Sequence, residues 1–434
     1  MISIPHVING KDKTRLHVTN HIPSPSIKGK QPRLFYGYIV ILAAFFILMI
    51  VFGAEFSFGV FLKPLLDEFG WTRAVISGAY SLKMVLGGVF AIVAGRLCDR
   101  FGPRLVVTCC GFIVGLSYLL MSQISTIWQI YLVYGVLLSM GVAGCLVPLL
   151  STVARWFVKR RGLATSIVML GNSIGIIIMP PLANQLISTY SWRVSYVFIG
   201  SVALVVTVIA AQFLRRDPRQ MGLTAHGADS ESSDNPNLLN KGFSFQEAIR
   251  TRQFWTICVM LLCFGFCVHT TMVHIVPHAI DIGVLASAAA TILSTIGIID
   301  AGSKIGIGSI IDRIGNKLGM IIILILMVVA FLWLPFASEL WMLYLFTAAF
   351  GIALGGIGAV HSPMVAEFFG LRSHGSIFGL TIFFICLGSA VGPLMAGHIF
   401  DINGSYYWAF MLCIVLSMLG LTLSILLRSL KTAR

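Results

Sequence analysis

A chain of 434 residues that is 57% hydrophobic and only 11% charged, with a mean hydropathy of +0.93, is excluded as a soluble domain and reads as an integral membrane protein. Its formal net charge of +14 fits basic loops facing anionic headgroups, so the lipid bilayer is an expected partner and nucleic acid is not. Short segments of alternating polarity are absent, which excludes a membrane β-barrel.

In chain order, the first 34 residues are polar and basic (KDKTRLH among them) and lack the pattern of a signal peptide, which predicts a retained cytoplasmic tail. Apolar runs of about 20 residues, the length that crosses a bilayer, follow at 35–58, 75–97, 105–123, 127–150, 162–187 and 195–214. They make a first six-helix bundle over 35–214. Residues 215–253 form a long polar interruption, rich in Ser, Asp, Asn and Gly, expected as a cytoplasmic linker. At its end Ser244, with Glu247 three residues on, fits a capping box, so SFQEAIRTR predicts a short surface helix. Further runs at 254–278, 286–309, 318–336, 340–364, 375–399 and 406–428 make a second six-helix bundle over 254–428, and 429–434 is a second cytoplasmic tail. The expected class is an all-α membrane protein with twelve transmembrane helices.

An even number of spans puts both termini on one side. Of the 30 Lys and Arg, only Lys63, Arg73 and Arg193 fall on the far side in this scheme, and Lys83 and Lys304 fall within the membrane. The positive-inside rule then makes both termini cytoplasmic, in a multi-pass cell-membrane protein, with a bacterial inner membrane expected. The nine cysteines lie in or at the ends of apolar helices and read as free thiols acting as small hydrophobes.

The halves repeat. GRLCDRFGPR at 95–104 and GSIIDRIGNK at 308–317 share Gly95/Gly308, Asp99/Asp312, Arg100/Arg313, Gly102/Gly315 and Arg104/Lys317, each pair separated by 213 positions. The same separation relates Gly162 to Gly375, Gly175 to Gly388, Pro180 to Pro393 and Ala183 to Ala396, the mark of a duplicated unit. Physically, the glycines allow tight turns between helices, the aspartates can pair with an arginine or a helix N-terminus, and the basic residues meet the lipid surface; such contacts would latch the cytoplasmic side. Gly171 with Gly175, Gly302 with Gly306, Gly351 with Gly355, and Gly388 with Gly392 have the spacing that lets helices approach closely.

The motif G-x-x-x-D-R-x-G-x-[RK], present twice in a twelve-span chain, resembles that of the major facilitator superfamily of secondary transporters. The resemblance implies two pseudo-symmetric six-helix bundles around a cavity that opens to either side in turn. It narrows at STIGIIDAGSK (294–304), which is similar to the eighth helix of monocarboxylate porters with lysine in place of arginine. HIVPHAIDIG, DPRQMGL and AIRTRQFW also look like the monocarboxylate porter and oxalate/formate antiporter branch. Two positions depart: Phe56 stands where monocarboxylate porters carry a first-span lysine, and Thr381 where the oxalate exchangers carry an eleventh-span lysine. One fewer cation argues against a dicarboxylate as preferred cargo.

Ionisable groups inside a bilayer mark function by default. Asp300 and Lys304 lie one turn apart on one helix face. In the functional reading the lysine attracts an anion while the aspartate takes and releases a proton; the alternatives are a lysine that snorkels to the headgroups or a purely structural pair. Lys83, with Tyr80 on the same face, is expected in the cavity, unless Glu55 is its structural partner. Glu55, placed near the outer end of span 1, reads as an outer-gate carboxylate or a proton site. His361 in span 10 is expected in the cavity, and Asn172 in span 5 can hydrogen-bond a substrate, though its LGNSIG setting also suits helix packing. His274 and His278 read as hydrogen-bonding residues of an outer gate or as satisfied core histidines. The five-residue step from His269 to His274 turns the first ring away from the second, so no metal is expected, and no cofactor.

No nucleophile with a base, carboxylate dyad or G-x-x-x-x-G-K-[ST] motif occurs, so neither an enzyme nor an ATP-driven pump is expected. The leading expectation is proton-coupled transport of a small monocarboxylate. Organic anion antiport of the oxalate/formate type, export of another small molecule, or a transporter-like sensor are the alternatives.

Overall fold

A computed structural model describes residues 35–157, 161–221, 242–370 and 373–427. The two expected terminal tails and the middle of the linker lie outside the described residues. Among these, twelve helical runs are long and apolar enough to cross a membrane. The first is α1 (Tyr36–Phe56) followed by α2 (Phe58–Phe69). One turn residue, Ser57, joins them and donates its hydroxyl to the Gly53 carbonyl at 2.8 Å. The run therefore extends to Phe69, eleven residues beyond the predicted end, because the polar stretch around Lys63 and Asp67 stays helical. Glu55 consequently sits in the middle of span 1, only 3% exposed; its expected place near the outer end is corrected.

Spans 2 and 3 are α3 (Arg73–Phe101) and α4 (Pro103–Met121). Span 4 consists of α5 (Ile127–Ile130), a π-helical stretch Tyr131–Leu137 and α6 (Leu138–Trp156). Spans 5 and 6 are α7 (Arg161–Thr189) and α8 (Trp192–Gln212). The capping box forms as its spacing predicts: Ser244 N donates to Glu247 at 2.7 Å and Glu247 N to Ser244 Oγ at 3.3 Å, starting the short α9 (Phe245–Ile249). The second half follows as α10 (Arg252–Asp281), α11 (Ala286–Ile314), α12 (Asn316–Trp333), α13 (Leu340–Phe369), α14 (His374–Asn403) and α15 (Tyr407–Leu426). Twelve passes bring Tyr36 and Leu427, near the two ends of the described chain, to one face of the bundle, the terminal face; the opposite one is the distal face.

The internal repeat is visible in the backbone. Gly102 and Gly315, equivalent in the two motifs, both take the positive φ that suits glycine, 84° and 88°, and both separate two spans. A β-carbon built at Gly175 collides with the Met49 carbonyl, and one built at Gly388 collides with the Leu262 carbonyl. Both residues of the first contact lie 213 positions before those of the second. Spans 1 and 5 thus pack through the same glycine notch as spans 7 and 11.

Gly351 and Gly355 also take a close neighbour, since β-carbons there meet Ile299 at 2.9 Å and the Asp300 carbonyl at 2.6 Å. Gly302 and Gly306 do not: nothing lies within 4 Å of a β-carbon at either. The expectation of close packing fails at this pair because α13 approaches the Ile299–Ser303 face of α11 and leaves the glycine face open. The nine cysteines are free thiols. At the first motif, Arg100 lies over the Phe101 ring at 5.2 Å, Gly95 faces Val147, and Arg104 donates to Gln212 of the same half at 2.7 and 2.9 Å. Lys317 opens α12 beside Gly315. The side chains of Asp99, Asp312 and Arg313 and the surroundings of Gly308 lie outside the described residues.

Candidate functional site

Span 8 carries the charge pair, a buried Asp300 with a partly buried Lys304. Its backbone is approached from two sides by neighbours that glycine admits. A β-carbon at Gly297 meets the Ser173 carbonyl at 2.9 Å, and one at Gly355 meets the Lys304 amide nitrogen at 3.2 Å. Close approach of α7 delivers the Ser173 hydroxyl, which donates to Asp300 Oδ2 at 2.6 Å. Lys304 Nζ donates to the same Asp300 oxygen at 2.7 Å and to Ser173 Oγ at 2.9 Å. Asp300 and Lys304 belong to the second half and Ser173 to the first, so the triad bridges the halves. A cross-half bond from Ser294 to the Ile177 carbonyl at 2.7 Å runs beside it.

The triad is polar but incompletely satisfied. The Asp300 side chain is 2% exposed and that of Lys304 14%. Among the described residues Asp300 Oδ1 is buried without a hydrogen-bond partner, and so is Asn172 Oδ1 on the same helix as Ser173. A buried oxygen without a donor is costly, and each of these two acceptors can take a further hydrogen bond. Among the described residues Lys304 Nζ donates only to Asp300 and Ser173.

A second ion pair lies between spans 1 and 2. Lys83 pairs with Glu55, both nearly fully buried, and among the described residues Glu55 Oε2 has no partner. The Lys83 ammonium stands 5.6 Å from the Tyr80 ring, and the Tyr80 hydroxyl meets His269 Nδ1 of span 7 at 2.8 Å. Phe56 stacks on the His269 ring with centroids 6.1 Å apart. Tyr80, Lys83 and Glu55 are therefore brought together, with His269 added from the other half, and Lys83 takes Glu55 as its partner, the alternative to an unpaired lysine in the cavity. Among the described residues no hydrogen bond or ion pair links this group to Asp300–Lys304.

His361 is 6% exposed and its Nε2 is 2.8 Å from Thr381 Oγ1. Since the Thr381 hydroxyl already donates to the Phe378 carbonyl at 2.8 Å, it accepts from His361, whose Nε2 carries the proton. The contact is within the second half.

His274 and His278 belong to a polar latch at the distal face that the sequence reading did not assemble. Arg73, at the start of α3, donates to Asp281 Oδ2 at 2.7 Å and to the Tyr406 hydroxyl at 2.5 Å. Its guanidinium carbon lies 3.7 Å from the Phe400 ring centroid. Lys63 reaches the other Asp281 oxygen at 3.0 Å. Asp401 accepts from the backbone N–H groups of Arg73 and Ala74 at 3.0 and 2.8 Å, a carboxylate seated on the N-terminus of α3.

The Tyr406 hydroxyl lies 2.9 Å from His274 Nδ1, and His274 Nε2 lies 2.9 Å from the Pro393 carbonyl. The carbonyl can only accept, so Nε2 donates, Nδ1 accepts from Tyr406, and Tyr406 accepts from Arg73. Burial raises the Tyr406 phenol above its ordinary range, which keeps it a donor. The His278 ring stands nearly perpendicular to those of Tyr406 and Phe410, with centroids 5.9 and 5.0 Å away. The cations of the latch come from the first half and its carboxylates from the second. Arg193 instead pairs with Glu68 at 2.5 Å within the first half.

Comparison with known proteins agrees with this architecture. The family model described as Major Facilitator Superfamily matches residues 44–308 and 275–434. Monocarboxylate transporter 7 of Homo sapiens is 25% identical over 437 residues, covering 87% of this chain and 83% of that protein. Monocarboxylate transporter 12 of Mus musculus is 26% identical, covering 80% and 74%. Monocarboxylate transporter 2 of Homo sapiens is 24% identical, covering 87% and 82%. Among solved structures, a bacterial homolog of the human lysosomal transporter Spinster, in an inward-facing and unoccupied conformation, superposes with a TM-score of 0.68 at 17% identity, covering 90% of this chain and 95% of that one. This last likeness concerns the fold.

Proposed function

The chain belongs to the major facilitator superfamily, as a multi-pass membrane transporter and not an enzyme, and we propose that it carries a small monocarboxylate together with a proton by alternating access. The observation that carries this reading is the Asp300–Lys304–Ser173 triad: a buried carboxylate paired with a partly buried lysine on a helix of one half, held by a hydroxyl of the other, with one carboxylate oxygen unpartnered among the described residues. The substrate's carboxylate takes Lys304. Asp300 then loses its counter-charge, a bare carboxylate in a low-dielectric site is costly, and a proton enters with the anion. Discharge to the other face reverses both steps. The similarity to monocarboxylate transporters supports the substrate class.

In this reading Glu55, Lys83 and Tyr80 form the first-half wall of the site, with Asn172 and His361 around it, while His274 and His278 stand at the outer gate. Both termini are cytoplasmic by the charge distribution, which puts the distal face outside. The twin motifs around Gly95–Arg104 and Gly308–Lys317 then hold the cytoplasmic face when the molecule is closed there.

The test is uptake of radiolabelled formate, acetate, L-lactate and pyruvate into proteoliposomes, with and without an inward proton gradient. Gradient-driven uptake of at least one is expected, with its loss in Asp300→Asn and Lys304→Ala. Unchanged uptake in both variants would remove the triad from the mechanism. Exchange with preloaded anion, indifferent to the gradient, would replace symport by antiport.

A further inference from the structure

The distal latch has features that holding two halves together does not require. Its polar contacts run one way: Lys63, Arg73 and the α3 N-terminus belong to the first half, and the carboxylates of Asp281 and Asp401 to the second. The first-half rim therefore already seats carboxylates at two places, one between an ammonium and a guanidinium, the other on two helix N–H groups. An arginine fork and a helix N-terminus are the groups that recognise a carboxylate by shape as well as charge.

We propose that this rim is an entry station for the transported anion, in which Asp281 and Asp401 are resident stand-ins for the substrate's carboxylate. The inference rests on the reading of the cargo as an organic anion. Separation of the halves at the distal face removes both carboxylates together, leaving Lys63 and Arg73 without the anions that neutralise them. Cations stripped of their partners at a partly buried rim are costly, and an incoming carboxylate restores the balance where a neutral solute does not. When the anion moves inward to Lys304, Asp281 and Asp401 return and the face closes behind it. The third distal cation, Arg193, is paired within its own half with Glu68 and takes no part.

The test measures KM for the best-transported member of the panel above, presented separately to the distal and terminal faces in sided membrane vesicles. Arg73→Gln raises the distal KM about tenfold, the scale of one lost charge-assisted contact, and leaves the terminal KM within about twofold. Lys63→Gln, at a side chain 29% exposed and so less dependent on folding, raises the distal KM in the same sense. Asp281→Asn removes a competitor and lowers it. If Arg73→Gln and Asp281→Asn shift the distal KM in the same direction, the residues are a latch and nothing more, and the inference falls. Equal shifts at both faces overturn it as well. Failure of the wild type to take up any panel member instead sinks the organic-anion reading, and the entry station with it.

Discussion

Lys83 and Glu55 show how a buried charge depends on its partner. Each is at most 4% exposed, so removing one strands the other in a low-dielectric interior, at about 3 to 5 kcal/mol. Glu55→Gln and Lys83→Met are therefore expected to lower the melting temperature in detergent markedly as single variants, and the double variant to recover most of the loss. Additive losses would mean that the charges do not depend on each other. Asp300 and Lys304 were legible in the sequence because four residues on one helix fix their proximity whatever the fold. Ser173, which completes that group from another helix, carried no local signal. The latch was hidden for the same reason: Lys63, Arg73, Asp281, Asp401 and Tyr406 are dispersed along the chain, and each reads as a plain charge or ring at a span end. One signal was present, since Lys63 and Arg73 are cations on a face otherwise poor in them.

At the scale of the helix, glycine decides which faces touch. Gly388→Ala and Gly175→Ala push a methyl group into a neighbouring carbonyl and are each expected to cost about 1 to 3 kcal/mol, while Gly302→Ala, whose β-carbon meets open space, is expected to leave the melting temperature unchanged. A comparable loss at Gly302 would contradict the packing described for α11. Sequence spacing found all four glycine pairs but could not tell a notch from an open face, because the small-xxx-small pattern is silent about where the partner helix lies. Span boundaries erred where helix continued into polar sequence, at Lys63–Phe69. The π-helical turn at Tyr131–Leu137 left no mark in an apolar run.

For the whole molecule, orientation is the property to measure. With the native cysteines replaced, a cysteine at Leu285, 76% exposed in the distal loop, is expected to react with an impermeant maleimide on intact cells, and one at Met221, 43% exposed at the terminal face, only after permeabilisation. The reverse pattern would invert the topology. The duplicated architecture was readable from the repeated motif, since identical residues at one fixed separation report common descent without any structure.

Phe56 and His269 lie 213 positions apart and stack on each other, so the same place in the two copies of the unit has come to face itself. In a two-fold dimer of a six-helix ancestor, a residue at that contact meets its own twin, and both faces of the contact must be identical. Fusion into one polypeptide lifts that requirement. A plain hydrocarbon ring on one side and an imidazole reaching Tyr80 on the other are what such a release permits, and polarity at the centre of this bundle is thus a trait no homodimer of its parent could have held on one side alone.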